Sequence, residues 1–204
     1  MKKTILSIAL IFAISTSFSQ SFMNGVGLSF LGTSNSIGGS NDWGTGIGFT
    51  YSPRFNFLEN DKFSVAVGIP LTVGLSISTS STYDPYYGNS YSNTSVGFVA
   101  NVPVVVSFNM GRGSTKSNRQ KFGYFVGAGF GYHHGDFVSD IYDPVTNTYT
   151  DSYSINTFGP AANAGVRFGV GRKSKNIELR LSYMKGITSK YKPSIFGLAC
   201  LFNF

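Results

Sequence analysis

The sequence predicts an all-β fold, an eight-stranded antiparallel up-and-down transmembrane β-barrel. Three observations predict it. Phe63, Val65, Val67, Ile69, Leu71, Val73 and Leu75 alternate without a break against Ser64, Ala66, Gly68, Pro70, Thr72 and Gly74. A period of two held this long describes one extended strand with two unlike faces. The same pattern recurs down the chain, behind an export-type leader and ending on Phe204.

The leader begins with Lys2 and Lys3, continues through the apolar run from Ile5 to Ile14, and reaches small residues at Ser17 and Ser19. This is the pattern of a cleaved signal peptide spanning residues 1–19. The run falls short of the roughly 20 apolar residues that a spanning helix requires. No later segment is apolar enough for such a helix, so a membrane crossing has to be made by a closed sheet. Removing residues 1–19 from the 204 leaves a barrel domain over residues 20–204.

Eight strands follow in order. The first runs from Phe22 to Leu31, with Val26, Leu28 and Phe30 opposite Gly25, Gly27 and Ser29. The second, Trp43 to Phe57, sets Trp43, Ile47, Phe49, Tyr51, Phe55 and Phe57 against Gly44, Gly46, Gly48, Ser52, Arg54 and Asn56. The third is the strand that opens at Phe63. The fourth runs from Ser95 to Met110, with valines and Phe98 opposite Gly97, Asn101, Ser107 and Asn109. The fifth, Phe122 to His133, opposes aromatic residues to glycines and His133. The sixth, Asn156 to Val170, carries Arg167 on its small-residue face. The seventh, Ile177 to Met184, carries Glu178 and Arg180 there, and the eighth runs from Ser194 to Phe204.

A soluble β-sandwich also alternates, but it shows charge on its outer face. Here the face opposite the apolar one is mostly Gly, Ser and Asn, which suits the cramped interior of a narrow barrel. An even number of antiparallel strands closes without an edge. Cys200 stands alone on an apolar face and reads as a small hydrophobe.

The connections fall into two sets. Leu58 to Lys62, Gly111 to Gln120 and Gly171 to Asn176 are short or basic turns. Thr33 to Asp42, Ser78 to Asn93 and His134 to Tyr153 are longer and carry acidic residues but no Lys or Arg. Lys185 to Lys192 is a basic fourth loop on the same side. Short turns at one end and long loops at the other is the polarity of outer-membrane barrels, with the turns periplasmic.

The leader, the strands, the two-sided connections and the end Phe196-Gly197-Leu198-Ala199-Cys200-Leu201-Phe202-Asn203-Phe204 resemble the small OmpA/OmpX-type outer-membrane barrels. The Ser19-Gln20 junction resembles export signals common in the Bacteroidota. The resemblance implies a Gram-negative outer membrane as location. It also implies outer-membrane lipid as surroundings, and recognition of the strand ending in Phe202 and Phe204 by the barrel-assembly machinery. No peptidoglycan-binding domain follows Phe204, so that part of the OmpA-like role does not carry over.

Few residues offer chemistry. The charges expected inside the barrel are Arg54, Arg167, Glu178 and Arg180, read as an ion-pair and water network filling the lumen. A turn centred near Lys173 would set Arg167 opposite Arg180, with Glu178 a diagonal neighbour of Arg167. About eight strands leave an interior just wide enough for side chains, which disfavours a pore. His133, His134 and Asp136 form the one cluster resembling a catalytic or metal group. Adjacent histidines on a strand point to opposite faces and cannot share a metal without a bulge. Gly135 also stands where the lipid A deacylase pattern wants a serine. Asp136, Asp140 and Asp143 lack calcium-loop spacing.

Two long loops are rich in tyrosine, through Tyr83, Tyr86, Tyr87, Tyr142 and Tyr149. They read as hairpins extending the barrel or as a recognition surface, since Tyr, Ser, Asn and Gly make adaptable contacts. The basic residues are not clustered with stacking aromatics, so nucleic acid is not an expected partner. No cofactor and no metal are expected. The leading expectation is a non-enzymatic barrel with a structural or surface-recognition role, which includes service as an accessory subunit with other envelope proteins. The alternatives are an outer-leaflet lipid A-modifying enzyme using His133 and a narrow channel for small solutes.

Overall fold

The structure is a computed structural model, which describes residues 21–37, 40–84, 89–138, 142–143, 148–149, 152–171, 175–189 and 192–204. The expected leader lies outside the described residues. Eight antiparallel strands close into a barrel. The first is Ser21–Met23 continued by Gly25–Ile37, the second Ser40–Tyr51 continued by Arg54–Glu59, and the third Phe63–Gly68 continued by Leu71–Asp84. The fourth to eighth are Asn89–Gly111, Phe122–Val138, Ser152–Gly169, Asn176–Lys185 and Ser194–Asn203. Each strand pairs with its neighbours in sequence, and the eighth returns to the first through Ser194↔Ser34 to Asn203↔Gly25. Closure leaves no open edge, which is what a sheet in lipid requires.

The expected unbroken third strand is interrupted at Pro70, and the second strand at Pro53 beside it. Proline has no N–H to give a ladder. The gap is bridged by Ile69 N donating to Pro53 O at 3.1 Å and by paired bonds between Gly25 and Ser52. Side-chain alternation continues through both interruptions, so the faces remain as the sequence arranges them.

The large apolar residues point outward. Leu28, Phe30, Trp43, Leu75, Val126, Leu181 and Leu198 are all at least half exposed, and together they make an apolar wall suited to a bilayer. Cys200 lies on this wall. The interior is polar: Thr50, Asn56, Ser64, Asn109, Thr157, Asn176 and Glu178 are buried there, beside Phe125, Val105, Met184 and Ile195.

The strands run past the barrel at the loop end. Thr79↔Thr94 through Asp84↔Asn89 extend the third and fourth strands as a ladder, and Ser152↔Val138 extends the fifth and sixth. A small hairpin, Tyr142–Asp143 with Thr148–Tyr149, stands within the fifth-to-sixth connection. The fourth loop folds back on the sixth strand, with Ile187 N donating to Phe158 O and Phe158 N to Thr188 Oγ1, both at 2.8 Å.

At the turn end the second strand carries a bulge between Asn56 and Leu58. Two consecutive apolar residues, Phe57 and Leu58, occupy it. The extra residue shifts the alternation by one, so Glu59 pairs with buried Ser64 and reaches the inner face.

Candidate functional site

The most developed polar site is a buried charge cluster in the turn half of the lumen. Arg167 on the sixth strand and Glu178 on the seventh are directly opposed. Arg167 Nε donates to Glu178 Oε2 at 2.6 Å. Arg180, two residues along the same face, places Nε 2.8 Å and Nη2 2.5 Å from Glu178 Oε1. Asn203 Nδ2 on the eighth strand adds a bond to Glu178 Oε2 at 3.1 Å and one to Asn176 Oδ1 at 2.8 Å. Glu178 is 0% exposed, so such a charge-assisted set is what makes its burial tolerable.

The observed register corrects the expected one by two residues. Gly169 pairs with Asn176, so Arg167 faces Glu178, and Gly165 rather than Arg167 faces Arg180. The connection is tighter than a turn centred on Lys173 allows: Val170 N already reaches Lys175 O at 2.9 Å.

Arg54 on the second strand joins the cluster through neutral acceptors. It donates to Asn109 Oδ1 at 3.3 Å, to Gly113 O at 2.7 Å and to Met23 Sδ at 3.0 Å. Arg167 Nη1 shares Asn109 Oδ1 at 2.9 Å. Both Arg167 and Arg180 lie over the ring of Phe125, with guanidinium carbons 4.2 and 5.7 Å from its centroid. Phe125 stands on the fifth strand's glycine face, between Gly123 and Gly127. A Cβ on Gly165 would come within 2.7 Å of its ring, so glycine there makes the room.

The connection Gly111 to Gln120, expected as a plain turn, is a stopper. Residues 111–115 and Asn118 are buried in the turn end of the barrel. Gly113 O accepts from Arg54, and at 3.4 Å from Arg167 Nη1; Ser114 O accepts from Asn56 Nδ2 at 2.9 Å. Arg112 donates to Asn118 O at 3.3 Å and to Lys175 O at 2.8 Å, and Asn118 Nδ2 to Asp61 O at 2.8 Å. Gly113 has φ of 72°, and a Cβ there would meet Arg167 Cδ at 2.9 Å and Asn176 Nδ2 at 3.0 Å. Glu59, turned inward by the bulge, accepts from Ser21 Oγ and, at 2.7 Å, from Asn56 Nδ2.

The rim residues separate. His133 is fully buried in the lumen, level with Asn101 and Thr157 on the flanking strands. Its two ring nitrogens have no protein partner. His134 lies on the outer face, 2.8 Å from Asn156 Oδ1 and 3.5 Å from Asp136. The two imidazoles therefore do not share a site. Among the described residues no three His, Cys, Asp or Glu side chains come together as a metal would need.

Tyr83, Tyr142 and Tyr149 lie on hairpin backbone, with Tyr149 opposite Tyr142. Tyr86 and Tyr87 lie outside the described residues. Phe202 and Phe204 both face outward at the turn end, their rings stacked at 6.4 Å. Phe204 also exchanges backbone bonds with Asn24, which ties the end of the chain to the first strand.

A closed barrel with an apolar wall and a filled polar lumen defines the class as an integral outer-membrane barrel. The family model for the outer membrane protein beta-barrel domain matches residues 4–204, and the chain belongs to that family. Its location is accordingly the outer membrane of a Gram-negative bacterium. Among solved structures, Neisserial surface protein A (NspA) is similar at 11% identity and a TM-score of 0.52, over 91% of this chain and 97% of that one. Ail, the attachment invasion locus protein of Yersinia pestis, aligns at 14% identity and 0.48, over 92% and 99%. OprG of Pseudomonas aeruginosa aligns at 10% and 0.43, over 92% and 96%. No curated protein matches the sequence.

Proposed function

We propose that this chain is a non-conducting, non-enzymatic barrel whose extracellular hairpins serve recognition, including the docking of a larger envelope complex around it as an accessory subunit. One observation carries the reading. The lumen is closed by side chains and by the stopper at one end, while the third and fourth strands continue as a paired ladder to Asp84 and Asn89 at the other. Such packing disfavours a solute path, whereas the paired ladder beyond the barrel offers a surface. Tyr83, Tyr86, Tyr87, Tyr142 and Tyr149 are the residues proposed to make its contacts. Adjacent polar residues give tyrosines adaptable partners at low entropic cost.

The lipid A reading finds less support. His133 is enclosed between strands, and Gly135 follows it where a hydroxyl nucleophile would be wanted. Unchanged lipid A masses on deleting the gene would agree with this, and a shifted acyl pattern would reverse it.

The test is extraction of tagged protein from native membranes in mild detergent, followed by native sizing and identification of what co-purifies. The expected outcome is a discrete assembly that is lost when the 79–94 hairpin is shortened to a tight turn. A monomer that binds nothing, with and without the hairpin, would sink the proposal.

A further inference from the structure

We propose that the lumen binds a small monovalent anion of chloride's size beside Arg180. Three observations converge there. The first is charge. Arg54, Arg167 and Arg180 are all buried, and the carboxylates that meet this cluster are Glu178, fully buried, and Glu59, half-buried at the turn end. The cluster therefore carries one more positive than negative group. Uncompensated charge in a low-dielectric interior is costly, and a bound counter-ion relieves it.

The second observation is a space of suitable size. A cavity of about 30 Å³ lies mid-barrel, lined on its polar side by Arg180, Thr50, Thr72, Asn101, Asn163 and Ser182. A water-sized guest needs about 10–15 Å³ measured in this way, so one ion with a water fits.

The third is an unspent donor set. Arg180 Nη1 is buried with no protein partner, while its Nε and Nη2 are both committed to Glu178. The Asn101 and Asn163 side-chain oxygens are buried without partners as well. Both residues line the cavity, and an amide carries N–H donors to offer a guest. Ser29, Thr50 and Thr72 form a hydroxyl chain, with Thr50 Oγ1 2.7 Å from Thr72 Oγ1. Three hydroxyls joined by two bonds keep one proton over, which is free to point at an anion. No carboxylate lines the cavity to oppose such a guest.

The direct test is diffraction from crystals of the refolded wild-type barrel grown in sodium bromide, with data at the bromine edge. An anomalous peak within 3.5 Å of Arg180 Nη1 is expected. Its absence, or density there that does not scatter as bromine, would mean water only and would overturn the proposal. A second measurement is the unfolding midpoint in detergent in sodium chloride against sodium gluconate at equal ionic strength. A rise of about 3 °C or more in chloride is expected. Thr72→Val, which spares the Arg180–Glu178 pair, should reduce that rise. Equal midpoints in the two salts for the wild type would count against the site.

Discussion

Arg167 and Glu178 face each other directly across the sixth and seventh strands, both almost wholly out of solvent, with Arg167 Nε 2.6 Å from Glu178 Oε2. The pair does more than offset two charges. Glu178 holds Arg180 with its other oxygen, and Arg167 reaches Asn109 and the carbonyl of Gly113. One carboxylate thus connects four strands and the stopper.

Glu178→Gln should therefore be severe. It leaves two buried guanidiniums without their anion, and breaking a buried pair on one side costs about 3–5 kcal/mol. The double replacement Arg167→Met with Glu178→Gln should cost less than the sum of its single changes. Urea unfolding of the refolded barrel, read as loss of the compact form on unheated gels, measures both. Additive losses would show that the two residues do not act as a unit.

Gly113 and Gly32 make a matched pair. Gly113→Ala puts a Cβ into Arg167 and Asn176 at φ of 72°, and should lower stability by about 1–3 kcal/mol. Gly32→Ala meets nothing within 4 Å and should be within about 0.5 kcal/mol of wild type. The same unfolding measurement compares them. Equal behaviour would mean that the stopper is not held in the barrel mouth. In planar bilayers neither variant should show conductance steps, because the charge cluster lies across the lumen behind the stopper.

Depth in the membrane should set the cost of a charge on the outer wall. Leu181, 64% exposed and midway along the seventh strand, should lose about 2–4 kcal/mol on replacement by arginine. Trp43, 60% exposed near the loop-end rim, should lose about 0–1 kcal/mol by the same change. Refolding into liposomes with urea titration reads both. A flat response would place this wall against water or protein instead of lipid.

These differences trace what the sequence makes visible. Strict alternation reveals the faces, because in a strand the side-chain period is independent of everything downstream. Arg54, Arg167, Glu178 and Arg180 stood out as charges on a face of small residues, and the structure gathers them within one network. Register was misread because the length of the 169–176 connection does not follow from alternation. Glu59 was missed because a bulge changes its face, although the adjacent Phe57 and Leu58 are the local mark of that bulge. Phe125 was missed because its neighbours on that face are all glycine. The stopper was missed because nothing in a polar turn of Gly, Ser and Arg says whether it folds into the lumen or away from it. The carbonyls of Gly113 and Ser114, which have no sequence signature, make its contacts with Arg54, Arg167 and Asn56.

The end of the chain separates assembly from stability. Phe204 presents its ring outward, half exposed and stacked on Phe202, while its backbone N–H and C=O pair with Asn24. Phe204→Ser removes the ring and keeps both backbone bonds. The refolded variant should then unfold within about 1 kcal/mol of wild type. If the ring is the assembly signal that the family resemblance implies, yield in the outer membrane of cells should fall several-fold. Measuring folded protein in membranes beside urea midpoints of the purified barrel distinguishes the two roles. A normal cellular yield would remove the assembly role of Phe204. A large drop in the purified barrel's midpoint would instead make the ring a structural contact of the closing strands.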